Sequence, residues 1–162
     1  MGMTAEQRRV VLAHPAGWIA TGFGSGLSPV APGTAGSLLA ILPWLALAKL
    51  PSPYYALVLI IAFLLGVWAC AWIVKRLAIA DPGFAVWDEF VGLWIALAPL
   101  VGMPHSWVWI APGFLLFRTF DIWKPWPVSW ADRRVDGGFG VMLDDVVAGL
   151  YAALVLVLMM HW

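Results

Sequence analysis

Residues 54–73 (YYALVLIIAFLLGVWACAWI) form a run of 20 residues without a charge. A helix of this length covers about 30 Å, the thickness of a bilayer's hydrocarbon core. In lipid every backbone N–H and C=O needs an internal partner, so a run of this kind has to be helical. Lys75 and Arg76 stop it. The rest of the chain is of the same kind: 63% of residues are hydrophobic and 11% charged, with mean hydropathy +0.90. Soluble domains average about 45–50% apolar and 25% charged. The fold class expected is all-α, a small polytopic membrane helical bundle. At 162 residues the chain reads as one domain. Residues 1–17 form an N-terminal cytoplasmic segment, and residues 18–162 the membrane domain.

The other apolar runs are shorter. Residues 22–37 (GFGSGLSPVAPGTAGS) hold five glycines and two prolines and read as a loop. Ser37 then opens an apolar run to about Leu50, interrupted by Pro43. Pro51-Ser52-Pro53 is a break, and Asp81-Pro82-Gly83 a turn. Asp88-Glu89 precede a short apolar helix to about Val101, and a turn follows over residues 102–106. Residues 107–117 are apolar and end at Arg118. Pro125 and Pro127 end any helix near Lys124. Asp136-Gly137-Gly138-Phe139-Gly140 reads as a turn, before a last helix over residues 146–160. Arg8 and Arg9 are followed by no sustained apolar core, so a cleaved signal peptide is not expected. Met1-Gly2 lacks the context for myristoylation. The lone Cys70, inside an apolar run, reads as a small core hydrophobe.

The charges are unevenly distributed. Residues 118–145 (RTFDIWKPWPVSWADRRVDGGFGVMLDD) contain five of the nine acids and four of the nine Lys/Arg. With a cytoplasmic N-terminus and each run crossing, the turns at 51–53 and 102–106 fall outside, and 74–89 and 118–145 inside. Only Lys49 of the nine basic residues then lies near an outer end, which satisfies the positive-inside rule. That topology puts Asp88, Glu89, Asp121, Asp144 and Asp145 on one face. Trp87, Trp94, Trp107, Trp123, Trp126 and Trp130 flank the boundaries, where indoles anchor. The net charge of zero advertises no surface for nucleic acid. Nothing sets an oligomeric state.

Two segments echo each other. Asp88-Glu89-Phe90-Val91-Gly92-Leu93 resembles Asp144-Asp145-Val146-Val147-Ala148-Gly149-Leu150: an acid pair at a helix start, apolar residues, a glycine. Either pair alone suits an N-cap and first-turn role. Five carboxylates on one face repel one another, and a divalent cation removes that cost. Oxygen-only ligands point to Mg²⁺ before Ca²⁺ or Mn²⁺. Zinc is disfavoured, since His14 is the only nearby histidine. Arg118, Asp121 and Lys124 stand three apart, the spacing of an ion-pair ladder on one helix face. Lys124 at a rigid Pro corner is equally placed to hold a phosphate. Arg133 and Arg134 suit phosphate or, preferably, anionic headgroups. The 136–140 segment either routes the chain or lets backbone N–H groups approach an anion. The 22–37 loop lacks a Walker A or dinucleotide pattern. Thr34 and Ser37 precede a helix start and are candidates for headgroup or phosphate contact, against a packed re-entrant loop.

Four segments together resemble the phosphatidylglycerophosphatase A family: GFGSGLSPVAPGTAGS at 22–37, WDEFVG at 87–92, FRTFDIWKPWP at 117–127, and DRRVDGGFGVMLDDVVAG at 132–149. The resemblance implies an all-α, Mg²⁺-requiring membrane phosphatase of the bacterial inner membrane, multi-pass, with its active-site loops facing the cytoplasm. It would hydrolyse phosphatidylglycerophosphate to phosphatidylglycerol and phosphate. On that reading Asp88, Glu89, Asp121, Asp144 and Asp145 bind one or two Mg²⁺. Lys124, with Arg118, stabilises charge on the phosphate oxygens, and a carboxylate is the general base. A covalent aspartyl-phosphate is the alternative.

Two rival classes fit the sequence less well. A CDP-alcohol phosphotransferase needs a D-x-x-D-G-x-x-A-R signature, absent here, and a histidine lipid phosphatase needs paired motif histidines, whereas His14, His105 and His161 are scattered. A divalent-cation transporter would use intramembrane carboxylates, but these acids sit beside Lys and Arg rather than along a path.

Overall fold

A computed structural model describes residues 3–80 and 82–162. Asp81, expected to open a turn, and the Met1-Gly2 start lie outside the described residues. Eight α-helices follow in order: α1 Ala5–Leu12, α2 Pro15–Ala20, α3 Pro32–Leu47, α4 Ser52–Leu77, α5 Trp87–Ala96, α6 Trp107–Trp123, α7 Val128–Arg134 and α8 Gly137–Met160. Short 3₁₀ turns lie at Ser25–Leu27 and Ala98–Leu100. Among the described residues there is no strand, so the fold is all-α. Two helices, α4 and α8, are long and apolar enough to cross a membrane.

Two helices start earlier than expected, and glycine is the reason in both. α3 begins at Pro32 rather than Ser37. Proline is pre-organised for the first helical position, and Ala31 before it takes the left-handed conformation, φ 46°. Gly36 lies inside this helix because a Cβ there would sit 2.8 Å from the Val86 Cβ. α8 begins at Gly137, about two turns before Asp144. Gly138 lets it press on α4, where a Cβ would come within 2.3 Å of the Val67 carbonyl oxygen. These glycines permit close helix contact and do not mark turns.

The core forms around α5, which lies between α3, α4, α6 and α8. Trp87 and Trp94 were expected at the boundary but are buried here. Their indole N–H groups donate to the Ala62 and Ala40 carbonyls, both at 2.9 Å. The Tyr55 hydroxyl in turn donates to the Trp94 carbonyl at 2.5 Å. An indole in a core needs such a partner. Trp107, Trp123, Trp126 and Trp130 are exposed. Cys70 is buried in the same core.

Both ends of the bundle are defined by the chain reversals. The Gly102 N–H donates to the Ala48 carbonyl at 3.1 Å. That bond ties the turn after α3 to the turn before α6. The breaks near 48–53 and 100–106 therefore share one end, and the start of α5, the end of α6 and the first turns of α8 share the other.

Candidate functional site

The echoed segments cross each other. A Cβ on Gly92 would stand 2.8 Å from the Asp145 carbonyl oxygen, and one on Gly149 would stand 2.4 Å from the Gly92 carbonyl oxygen. Only glycine at both positions lets the α5 and α8 backbones approach this closely. The crossing sets Asp88 and Glu89 beside Asp144 and Asp145. α6 brings Arg118 and Asp121 to the same end. It stops at Lys124, which caps it in the left-handed conformation, φ 47°, just before Pro125. The result is a cavity of about 640 Å³ whose lining includes Asp88, Glu89, Arg118, Asp121, Lys124, Asp132, Asp144 and Asp145, with Gly33 and Thr34 from α3.

The charges inside are sorted into two groups. Arg118 pairs with Glu89, and with Asp121 at 2.8 Å. The Ser37 hydroxyl donates to Glu89 Oε2 at 2.7 Å from behind. Lys124 pairs with Asp132, and with Asp144 at 2.7 Å. Burial opposes the charge on Lys124, but its hydrogen bonds to Asp132 and Asp144, and their charges, outweigh it and raise its pKa above the usual lysine value. Asp88 Oδ1 accepts the Glu89 N–H at 2.9 Å.

Asp121, Asp144 and Asp145 can each offer an oxygen within 4.8 Å of the others. Among the described residues, the buried Oδ2 of Asp145 has no hydrogen-bond partner, and neither has the buried Nε of Arg118. A buried carboxylate oxygen without a donor costs about 1–3 kcal/mol or more, and a cation would remove that cost. The donor set is oxygen-only, which fits a hard divalent ion.

These positions change several expectations. Asp144 and Asp145 lie about two turns inside α8, so capping does not account for them. Val86, not Asp88, is the N-cap of α5. The Arg118–Asp121 pair of the expected ladder exists, but among the described residues Lys124 has no ion pair with Asp121. Its left-handed backbone turns it off the helix face toward α7 and α8. Thr34 lines the cavity, whereas Ser37 is fully buried behind Glu89. Arg133 and Arg134 are exposed on α7 and do not line the cavity. Asp132 was missed: it lies in the charged stretch, but across a Pro-x-Pro corner where no helical spacing relates it to Lys124.

An all-helical bundle holds a three-carboxylate cluster and two basic side chains, Arg118 and Lys124, in one cavity, the donor types that a cation and an anion would need. Known proteins make this specific. The family model for Phosphatidylglycerophosphatase A matches residues 18–160. A protein named Phosphatidylglycerophosphatase A from Escherichia coli (strain K12) is 46% identical over 153 residues, 94% of this chain and 88% of its own. One of the same name from Haemophilus influenzae is 41% identical over 156 residues, 96% of this chain and 94% of its own. A relative from Bacteroides thetaiotaomicron, provisionally named a phosphatidylinositol-3-phosphatase, is 44% identical over 152 residues, 89% of this chain and 92% of its own. No solved structure matches the chain. The chain belongs to the phosphatidylglycerophosphatase A family and is a phosphatase.

Proposed function

We propose that this phosphatase is magnesium-dependent and removes the terminal phosphate of phosphatidylglycerophosphate at the cytoplasmic face of the bacterial inner membrane. The observation that carries the reading is the cluster of Asp121, Asp144 and Asp145 in one cavity with Arg118 and Lys124. The three carboxylates would hold the ion, with Asp88 beside them. Bound Mg²⁺ supplies a water of lowered pKa and offsets phosphate charge. Lys124 and Arg118 bind the phosphate oxygens and stabilise charge on them as the P–O bond to glycerol breaks. A carboxylate of the cavity takes the proton of the attacking water.

Membrane placement rests on the outward surface. Leu57, Ile60, Ile61, Leu64, Leu65 and Trp68 of α4 are exposed, as are Leu150, Leu154 and Leu158 of α8. Exposed apolar surface on this scale fits lipid. Trp123, Trp126, Trp130, Arg133 and Arg134 are exposed on the segment that also carries the lining residues Lys124 and Asp132, a composition that suits a headgroup boundary. Lys49 is the one basic residue near the opposite end, a distribution that under the positive-inside rule supports a cavity facing the cytoplasm.

The test is phosphate release from phosphatidylglycerophosphate by the purified protein, with Mg²⁺ and with EDTA, and with phosphatidylinositol 3-phosphate as the competing substrate. Release is expected with Mg²⁺ only, and faster from phosphatidylglycerophosphate. No release with any divalent ion sinks the proposal, and faster release from the inositol lipid reassigns the headgroup.

A further inference from the structure

Glu89 shares the cavity with the other carboxylates but meets Arg118 and α3 rather than joining the three-carboxylate cluster. Asp121, Asp144 and Asp145 form a cluster of their own without it. Its carboxylate accepts from the Arg118 guanidinium and from the Ser37 hydroxyl, the latter at 2.7 Å. Oε2 accepts both. Oε1 is closed in by α3: a Cβ on Gly33 would stand 2.1 Å from Oε1 and 3.3 Å from Arg118 Nη2. Glu89 is 8% exposed and pinned from two sides, so it cannot swing aside to admit that carbon. Gly33 is therefore shaped to this ion pair. Arg118, for its part, is gripped between Glu89 from α5 and Asp121 on its own helix.

We infer that Glu89 is a positioning residue for Arg118 and not a ligand of the cation, and that Gly33 and Ser37 of α3 hold it there. The inference rests on the proposed reading of the cavity as a cation-dependent phosphatase site. Glu89 fixes the guanidinium where it meets the substrate phosphate. The α3 start, which the sequence marks with a glycine-rich run, thereby acts on the phosphate through Glu89 and Arg118.

The experiment compares the wild type with E89Q, G33A, R118A, E89Q/R118A and D145N in detergent. It reads Mn²⁺ binding by electron paramagnetic resonance, together with KM and kcat. E89Q is expected to bind Mn²⁺ within about 2-fold of wild type while kcat/KM falls about 10–100-fold, the range for a charge-assisted hydrogen bond lost at a buried site. G33A should change the same readouts in the same direction. The double variant should be no worse than R118A alone, because both changes remove one unit. E89Q adds no atoms and carries the test if G33A does not fold. Loss of Mn²⁺ binding in E89Q to the extent seen in D145N overturns the inference, as do losses that multiply in the double variant. Unchanged Mn²⁺ binding in D145N instead brings down the proposed cation cluster, and the E89Q–R118A coupling is still read independently.

Discussion

The two acid pairs, Asp88-Glu89 and Asp144-Asp145, look alike in sequence and are used differently in the fold. The α5 pair sits in a first helical turn, where Asp88 takes a backbone N–H and Glu89 takes a guanidinium and a hydroxyl. The α8 pair sits about two turns inside its helix, beyond the reach of the orphan N–H groups of a helix start. There Asp144 finds Lys124, and Asp145 keeps a buried oxygen with no partner among the described residues. A motif of two acids and a glycine thus encodes the crossing, through Gly92 and Gly149. Depth in the helix separates a first-turn pair that meets donors of its own helix, α3 and α6 from a deeper pair that joins Asp121 in a cluster.

The strongest way to break this contrast is Asp145→Asn. The change keeps the shape and removes the charge of the unpartnered carboxylate. Activity should fall on the order of 1000-fold, about 4 kcal/mol, the scale of losing a site that holds the catalytic ion. The loss should exceed that of Glu89→Gln. Equal losses in a phosphate-release assay at saturating Mg²⁺ would erase the distinction between the pairs.

Next in size is Gly149→Val, which tests the crossing itself. The added carbon meets the Gly92 carbonyl oxygen, a backbone atom that cannot turn away. Overpacking of this kind costs about 1–3 kcal/mol. A lowered melting temperature in detergent is expected, with activity reduced because both acid pairs shift. A melt identical to wild type would show that the helices do not depend on that approach.

How much of this was legible in the sequence differs residue by residue. The long α4 was plain, since an uncharged run of 20 residues reads as a helix long and apolar enough to cross a membrane. So were the convergence of Asp88, Glu89, Asp121, Asp144 and Asp145 at one end and the Arg118–Asp121 pair, because topology and helical spacing act through simple periods. The starts of α3 and α8 were hidden because glycine has two meanings. It permits a turn, and it permits close helix contact, and the residues that decide between them are far away in the chain: Val86 for Gly36, Val67 for Gly138. Trp87 and Trp94 were misplaced for a similar reason. An indole suits an interface until a carbonyl such as that of Ala62 or Ala40 offers its N–H a partner inside. The sorting of the acids into an Arg118 group and a Lys124 group needs three-dimensional distances, and no spacing rule contains it.

The smallest expected effect concerns Asp132, which shares Lys124 with the α8 pair and has no counterpart near α5. Asp132 is exposed, so its share of the ion pair is screened by solvent. Asp132→Asn should lower activity only a few-fold, about 1 kcal/mol or less. Its signature lies in pH dependence. Lys124 has a pKa raised in the folded chain above the unfolded lysine value of about 10.4. A raised pKa contributes stability that is fully present below the unfolded value and is lost as pH rises through the folded one. Wild-type activity should therefore show no loss assignable to Lys124 up to about pH 10. Removing the Asp132 charge lowers the Lys124 pKa, so the alkaline fall in stability and activity should begin at lower pH in D132N. Coincident alkaline limbs in the two proteins would mean that Asp144 alone sets the charge state of Lys124, and the contrast between the acid pairs would then need no help from α7.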